Sequence, residues 1–280
     1  MGVQPISVPP GLAHVLNTAG ERNGVDFDYL LQTAIRESSL NPSAKAQTSS
    51  ATGLFQFIES TWLEVMKSDG PRLGYQKYAD AITVDGDGDY VVADKSLRQE
   101  ILKLREEPQV AADLAAAFTR NNGDYLHQRF GRMPSAGELY IAHFLGARGA
   151  EKMFVAGLSD PDQIASKLFP KQAKANPSIF YDKDGARTIR EVYKSLVAKH
   201  GGVTPTVESG FAAQQMVSAP PAGPQPKWPV AETVPSRFGP DDMTFNQLFS
   251  NENQVQPRTL LTETPEEAAD AALFSNFYAR

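Results

Sequence analysis

Residues 37–62 read ESSLNPSAKAQTSSATGLFQFIESTW, and the fold of the chain turns on this stretch. Just before it, Phe27, Leu30, Leu31, Ala34 and Ile35 recur at helical spacing, which predicts a helix from Asp26 to Glu37 with one apolar face. Glu37 lies seven positions after Leu30. At 3.6 residues per turn it sits about 20° from that leucine and so continues the apolar face. A carboxylate placed there loses hydration, which disfavours its charged form and raises its pKa. A raised carboxyl pKa is what a general acid needs to protonate a glycosidic oxygen near neutral pH. Helix geometry alone leaves a second reading open, a helix-end glutamate that turns to solvent or pairs with Arg36.

Asn41-Pro42 stops that helix, because proline lacks a donor and restricts the residue before it. Thr48 to Phe57 then gathers hydroxyls, one glycine, aromatics and an amide. Small hydroxylic residues beside a glycine let the backbone approach a ligand closely. Gln56 can both donate and accept, and aromatic faces suit the apolar faces of sugar rings. The same segment can also cap a helix starting near Gly53 that buries Leu54, Phe57 and Trp62. Capping and ligand contact are compatible, and both stay open.

Outward from this stretch the periodicity is helical almost throughout residues 1–200. A helix is predicted after Asp94, with Leu97, Ile101 and Leu104. Pro108 opens the next, which carries Val110, Leu114, Ala117 and Phe118. Ser135 to Glu138 is a capping box ahead of GELYIAHFLG, and Gly146 can end that helix. A short helix is expected to start at Asp160-Pro161. The last carries Ile189, Val192, Tyr193, Leu196 and Val197, and His200-Gly201-Gly202 closes it. Strand alternation is confined to a short pair around Thr83–Val92. The expected class is all-α, or mainly α.

The stretch 37–62 resembles the signature of the soluble lytic transglycosylase (SLT) family, which shares the lysozyme-like fold. Glu37-Ser38 matches the family's catalytic Glu and its adjacent Ser, Asn41-Pro42 and Ala44 match its loop, and Gly53-Leu54-Phe55-Gln56 matches its Gly-Leu-Met-Gln element. With LRxxPQVAADLAAAFTRNN and ELYIAHFLGARGA downstream, the similarity extends over about residues 10–200 and the wider pattern resembles a proteobacterial branch. Two positions depart from the pattern. The loop is one residue longer than usual, with Ser50 where glycine is common, and Ala142-His143-Phe144-Leu145-Gly146 stands where the family has Ala-Tyr-Asn-Ala-Gly. Tyr140 and His143, one helical turn apart, can substitute; equally, they can be an aromatic core position and a satisfied surface histidine. The resemblance thus implies Glu37 as the catalytic residue and Ser38, Ser49, Ser50, Gln56, Phe57, Tyr140 and His143 as candidates for binding substrate.

The resemblance also implies a mechanism. Most glycosidases use two carboxylates, whereas here one is evident. Glu37 protonates the oxygen leaving N-acetylmuramic acid, the substrate's N-acetyl group stabilises the anomeric centre, and the resulting carboxylate takes a proton from the 6-hydroxyl to close a 1,6-anhydro ring. Two rivals stand beside it. One is a hydrolytic muramidase on the same fold, with Glu59, Asp69 or another acid guiding water. The other is a non-catalytic peptidoglycan-binding or virion structural module, against which the intact Glu37 counts.

Composition narrows the classes further. The 280 residues include no cysteine, which removes disulfides, thiol nucleophiles and cysteine-ligated metals. With 27 Lys+Arg against 33 Asp+Glu, no basic stripe is available for nucleic acid. No apolar run reaches the roughly 18 residues of a membrane span. Residues 201–280 hold 4 Lys+Arg and 9 Asp+Glu, so the tail carries -5 and residues 1–200 only -1. Eight of the 20 prolines fall between Pro205 and Pro240. The expected organisation is a catalytic domain over 1–200, a proline-rich linker over 201–240 and an acidic region over 241–280. Leu248-Phe249-Ser250-Asn251 recurs as Leu273-Phe274-Ser275-Asn276, and a short helix is expected over Thr264–Tyr278. Behind a linker these repeats suit docking onto a protein partner, packing back on the domain, or neither.

Asp85 to Asp89 resembles the opening of a calcium loop, but Tyr90 and Ser96 stand where an EF-hand needs glycine and glutamate, so a tight acidic turn is expected. The histidines (14, 127, 143 and 200) show no ligand spacing; no metal and no cofactor is expected. Residues 1–21 hold no Lys or Arg, and two prolines interrupt the apolar run, so no Sec-type signal is expected. The implied substrate, peptidoglycan, lies outside the cytoplasmic membrane. The expected location is therefore the periplasm or cell wall, reached by a secretion or flagellar export machine, a phage particle or lysis cassette, or from an incomplete N-terminus.

Overall fold

The computed structural model describes residues 7–47 and 49–200, together with the backbone of 206–207. The repeated Leu-Phe-Ser-Asn segments, the helix expected over Thr264–Tyr278, the Gly201-Gly202 cap and nearly all of 201–280 lie outside the described residues. The chain runs β1 (Ser7–Val8), α1 (Pro10–Asn23), α2 (Phe27–Ser38), α3 (Glu59–Leu73), α4 (Gln76–Asp80), β2 (Thr83–Val84), β3 (Tyr90–Val91) and α5 (Lys95–Lys103). A 3₁₀ turn at Leu104–Glu106 leads into α6 (Pro108–Phe130), α7 (Ala136–Leu145), α8 (Ala147–Ser159), α9 (Ala165–Leu168), α10 (Pro170–Ala175) and α11 (Pro177–Phe180). The described chain closes with β4 (Tyr181–Asp182), β5 (Gly185–Ala186), α12 (Ile189–His200) and β6 (Thr206–Val207). The fold is mainly α; its strands are two residues long, in a parallel pair β1–β6 and the antiparallel hairpins β2–β3 and β4–β5.

Local chemistry sets most of the boundaries. Asp26 caps α2 by accepting from the Tyr29 amide at 3.1 Å. Ser135 and Glu138 form the reciprocal capping box of α7, and Arg132 adds a two-pronged ion pair to the fully buried Glu138. Pro108 occupies the first turn of α6 and Gly131 ends it in the left-handed region.

Helix α6 runs through the middle of the fold. Helix α1 packs on α6, whose N-terminal half buries Ala111, Ala112, Ala115, Ala116 and Ala117. One hydrophobic core gathers α1, α2, α3, α5 and this half of α6 around Leu16, Leu30, Leu54, Trp62 and Leu114. A second core gathers α7 to α12 on Leu126, near the other end of α6, around Phe144, Met153, Phe180 and Leu196. Trp62 ties α3 to α5, its indole donating to the Ile101 carbonyl at 2.8 Å.

Two expected helix starts move. No helix begins near Gly53: Gly53–Gln56 is a tight turn closed by pairing of Thr52 with Phe57, and α3 starts at Glu59. The left-handed Gly53 (φ 86°) and Gln56 (φ 50°) break helical continuity there. Asp160-Pro161 likewise forms a turn, in which the Asp160 side chain accepts from the Asp162 amide, and α9 starts at Ala165. The acidic run Asp85–Asp89 is the turn of the β2–β3 hairpin, with Asp85 Oδ1 accepting from the amides of Asp87 and Asp89.

Candidate active site

Glu37 sits in the last turn of α2, on its buried face, and is 5% exposed. Tyr140 of α7, itself 3% exposed, donates from its hydroxyl to Glu37 Oε1 at 3.4 Å. This contact joins residues 103 positions apart and links a helix of the first core to one of the second. Burial pushes the Glu37 carboxyl up to about 8, against the opposing pull of the Arg36 charge and the Tyr140 hydroxyl. At neutral pH the carboxyl therefore keeps its proton. Of the two readings open for Glu37, the buried one holds. Arg36 lays its guanidinium over the Tyr140 ring, 4.6 Å from the centroid, instead of pairing with the carboxylate.

His143, 2% exposed, stacks on Tyr140 with ring centroids 6.2 Å apart and meets Phe118 edge-on at 5.9 Å. It is thus not a surface histidine; it lies behind Tyr140 and backs that ring. Tyr29, also buried, lies near enough to Glu37 to feel its charge, and burial raises its phenol well above the ordinary value. Tyr29 therefore stays neutral.

The segment after α2 is backbone-strained. Among the described residues, the non-glycine positions with positive φ are Ser39 (52°), Leu40 (65°) and Gln56 (50°), and all three fall within 37–62. Left-handed backbone costs an L-residue roughly 1–2 kcal/mol, and such strain concentrates at functional sites. Ser38 Oγ lies 3.1 Å from the Ala34 carbonyl and 2.9 Å from that of Leu54, so it ties the helix end to the Gly53–Gln56 turn. Gln56, 2% exposed, donates from Nε2 to the carbonyls of Gly53 (2.8 Å) and Ala44 (3.2 Å). Its Oε1 is buried with no hydrogen-bond partner among the described residues. A Cβ at Gly53 would fall 1.9 Å from the Arg105 carbonyl oxygen, so only glycine fits there.

The other expected residues are placed as follows. Ser49 is half-buried and its Oγ accepts from the Ala51 amide. Ser50 is exposed, and its Oγ accepts from the Glu59 amide at the start of α3. Phe57 is 1% exposed and packs edge-on against Trp62 and Phe118, so its ring is part of the core beneath the turn. Glu37, Tyr140 and His143 converge, and Ser38 joins Glu37's helix to the turn bearing Gln56.

Other acids are engaged elsewhere. Burial alone would raise the Asp69 carboxyl. Hydrogen bonds from Asn121, Ser68 and Arg72, with the charge of Arg120, outweigh it and hold the group below its ordinary value. Glu59 pairs with Arg98. Asp113, fully buried, accepts from Arg22, Tyr75 and Gln109.

Residues 14–82 match the family model described as the transglycosylase SLT domain. The chain carries an SLT domain. The match begins within α1, includes Glu37 and the whole of 37–62, and ends before α7. Tyr140 and His143 thus lie outside it; the Tyr140 hydroxyl on Glu37 and the Tyr140 ring under Arg36 join that side chain to the matched residues. At the level of the family, the match points to transglycosylase-type activity on peptidoglycan. Among the described residues, no helix is long and apolar enough to cross a membrane.

Arg36, Tyr29, Phe118 and Arg105 shape the site without having been singled out from the sequence. Arg36 was legible as a neighbour of Glu37. Phe118 was legible only as an apolar position of α6, and Tyr29 and Arg105 come from α2's opposite end and the 3₁₀ turn, with no local pattern that marks them.

Proposed function

We propose that the protein is a peptidoglycan lytic transglycosylase that cleaves the β-1,4 bond between N-acetylmuramic acid and N-acetylglucosamine, with Glu37 as both acid and base. The observation that carries this reading is a buried carboxyl pushed up to about 8, touched by a tyrosine hydroxyl and located in a matched SLT domain. Protonated Glu37 gives its proton to the glycosidic oxygen as the bond from the muramoyl C1 to that oxygen breaks. The substrate's N-acetyl oxygen stabilises the positive charge developing at C1. The muramoyl 6-hydroxyl then attacks C1 and passes its proton to the Glu37 carboxylate, which regenerates the acid. No water is consumed, and the product is a 1,6-anhydromuramoyl end.

A single carboxyl suffices in this scheme, and the engagement of Asp69 and Glu59 with arginines supports it over water-guided hydrolysis. Tyr140 steadies the carboxylate between the two proton transfers. The serines of 49–50 bind sugar hydroxyl and amide groups, and Gln56 shapes the turn beside them. The catalytic unit comprises residues 1–200, followed by a proline-rich linker over 201–240 and an acidic region over 241–280. The enzyme acts in the periplasm or at the cell wall.

Digestion of purified sacculi tests this directly. Soluble fragments one water lighter than hydrolytic products are expected, and Glu37→Gln abolishes them. Fragments of hydrolytic mass, or anhydro products released by Glu37→Gln at the wild-type rate, would overturn the assignment.

A further inference from the structure

The turn that follows Glu37 in space is held by a cation from elsewhere in the chain. Arg105, in the 3₁₀ turn Leu104–Glu106, is 7% exposed. Its Nη1 donates to the carbonyls of Ser50 at 2.7 Å and Phe57 at 3.1 Å, while Nε donates to Leu102 at 2.9 Å. Ser50 and Phe57 flank Gly53–Gln56, so one guanidinium grips both limbs of the turn. Between them, Gly53 rests directly on the Arg105 carbonyl. On the outer limb, Lys45 pairs with the neighbouring Glu106 at 3.0 Å, and Lys45 is itself bridged to Thr52. Among the described residues no carboxylate forms an ion pair with Arg105, so its donors serve carbonyls.

We infer that Arg105 is a positioning residue that sets the substrate-facing shape of the 49–57 loop, and so the affinity for the glycan strand, without taking part in proton transfer. The inference rests on the reading of this loop as the glycan-binding element. It follows from how the loop is built. Its limbs pair through isolated bridges, at Lys45–Thr52 and Thr52–Phe57, and single hydrogen bonds, with no extended strand pairing to hold them. Ser50 is exposed, Ser49 half-buried, and Gln56 sits in left-handed backbone that must be over-determined by its surroundings. Charge-assisted hydrogen bonds are roughly twice as strong as neutral ones, and a planar fork satisfies several carbonyls at once. A lysine at 105 keeps the charge, but its one nitrogen cannot stand where Nη1 does, between the Ser50 and Phe57 carbonyls, and also replace Nε at the Leu102 carbonyl.

Arg105→Lys is tested on sacculi beside the wild type, with melting temperature as the check on folding. The expected result is a KM raised about tenfold, the loss of roughly 1.4 kcal/mol of binding. The same variant keeps kcat within about threefold and leaves the high-pH limb of the rate profile unmoved, because Arg105 touches neither Glu37 nor Tyr140. Gly53→Ala, which lifts the same turn off the Arg105 carbonyl, should reproduce the KM effect by a second route. In the Glu37→Gln background, Arg105→Lys should weaken co-sedimentation with sacculi by a similar factor. A folded Arg105→Lys protein with wild-type KM would overturn the inference, as would losses that merely track the unfolded fraction. If the wild type released no anhydro fragments, the proposed chemistry would fall while co-sedimentation would still decide the part played by Arg105.

Discussion

Replacing Glu37 by Gln should make the protein more stable at alkaline pH and leave it nearly unchanged at acid pH. The reason is linkage between proton binding and folding. In the unfolded chain Glu37 titrates at its ordinary 4.5; in the fold, burial moves it to about 8. Below 4.5 the group is neutral in both states and costs nothing. As pH rises from there, the unfolded chain ionises freely while the fold must keep the proton or bury a charge, so stability falls. The slope is 1.36 kcal/mol per pH unit and ends near 8, giving a ceiling of about 5 kcal/mol. That is large against a total of roughly 5–15 kcal/mol for a typical domain. Water reaching the carboxylate lowers the ceiling; the pull of the Arg36 charge is already contained in the value of about 8. Glutamine keeps the size and the acceptor for Tyr140 but cannot ionise, so it carries none of this cost. Denaturant unfolding of both proteins at half-unit steps from pH 4 to 9, taken as a difference, cancels the other titrating groups. The difference should grow in favour of Glu37→Gln from about pH 5 and level off above 8. A pH-independent difference, or one favouring the wild type as pH rises, would refute the buried, neutral carboxyl on which the proposed chemistry stands.

Two further outcomes follow from neighbouring residues. The Tyr140 hydroxyl pulls the Glu37 pKa down, so Tyr140→Phe should move the high-pH limb of the rate profile upward. Its single long hydrogen bond is worth about 0.5–1.5 kcal/mol, a several-fold effect on kcat; a limb that moves down would contradict the assignment. Asp69→Asn strips charge from a network with Arg72, Arg120 and Asn121 and should lower stability by about 2 kcal/mol, read by denaturant midpoint. The mass of the digestion products should not change. A folded Asp69→Asn protein that no longer cuts sacculi would place Asp69 in the chemistry and favour hydrolysis.

Much of this architecture is legible along the chain, because its signals are local. Leu30 and Glu37 share a face through helix geometry alone, Asp26 and Ser135 cap the amides that follow them, and Pro108 opens α6 where its missing donor does no harm. Asp85 organises its own turn. The two misplaced helix starts have a common cause. Near Gly53 and at Asp160 the nearby residues allow a helix, but the backbone is committed to contacts far away: Gly53 against Arg105, and the Pro161 carbonyl to the Arg190 amide.

Local sequence specifies a mainly helical chain and a carboxyl on the apolar side of α2. Each of those depends on residues a few positions apart. The tertiary structure decided what the carboxyl meets. It brought Tyr140 across 103 positions to Glu37 Oε1, set His143 behind that ring, drew Phe57 into the core and sent Arg105 under the loop. Those placements depend on how two hydrophobic cores close against the two ends of α6, and no spacing along the chain encodes that closure.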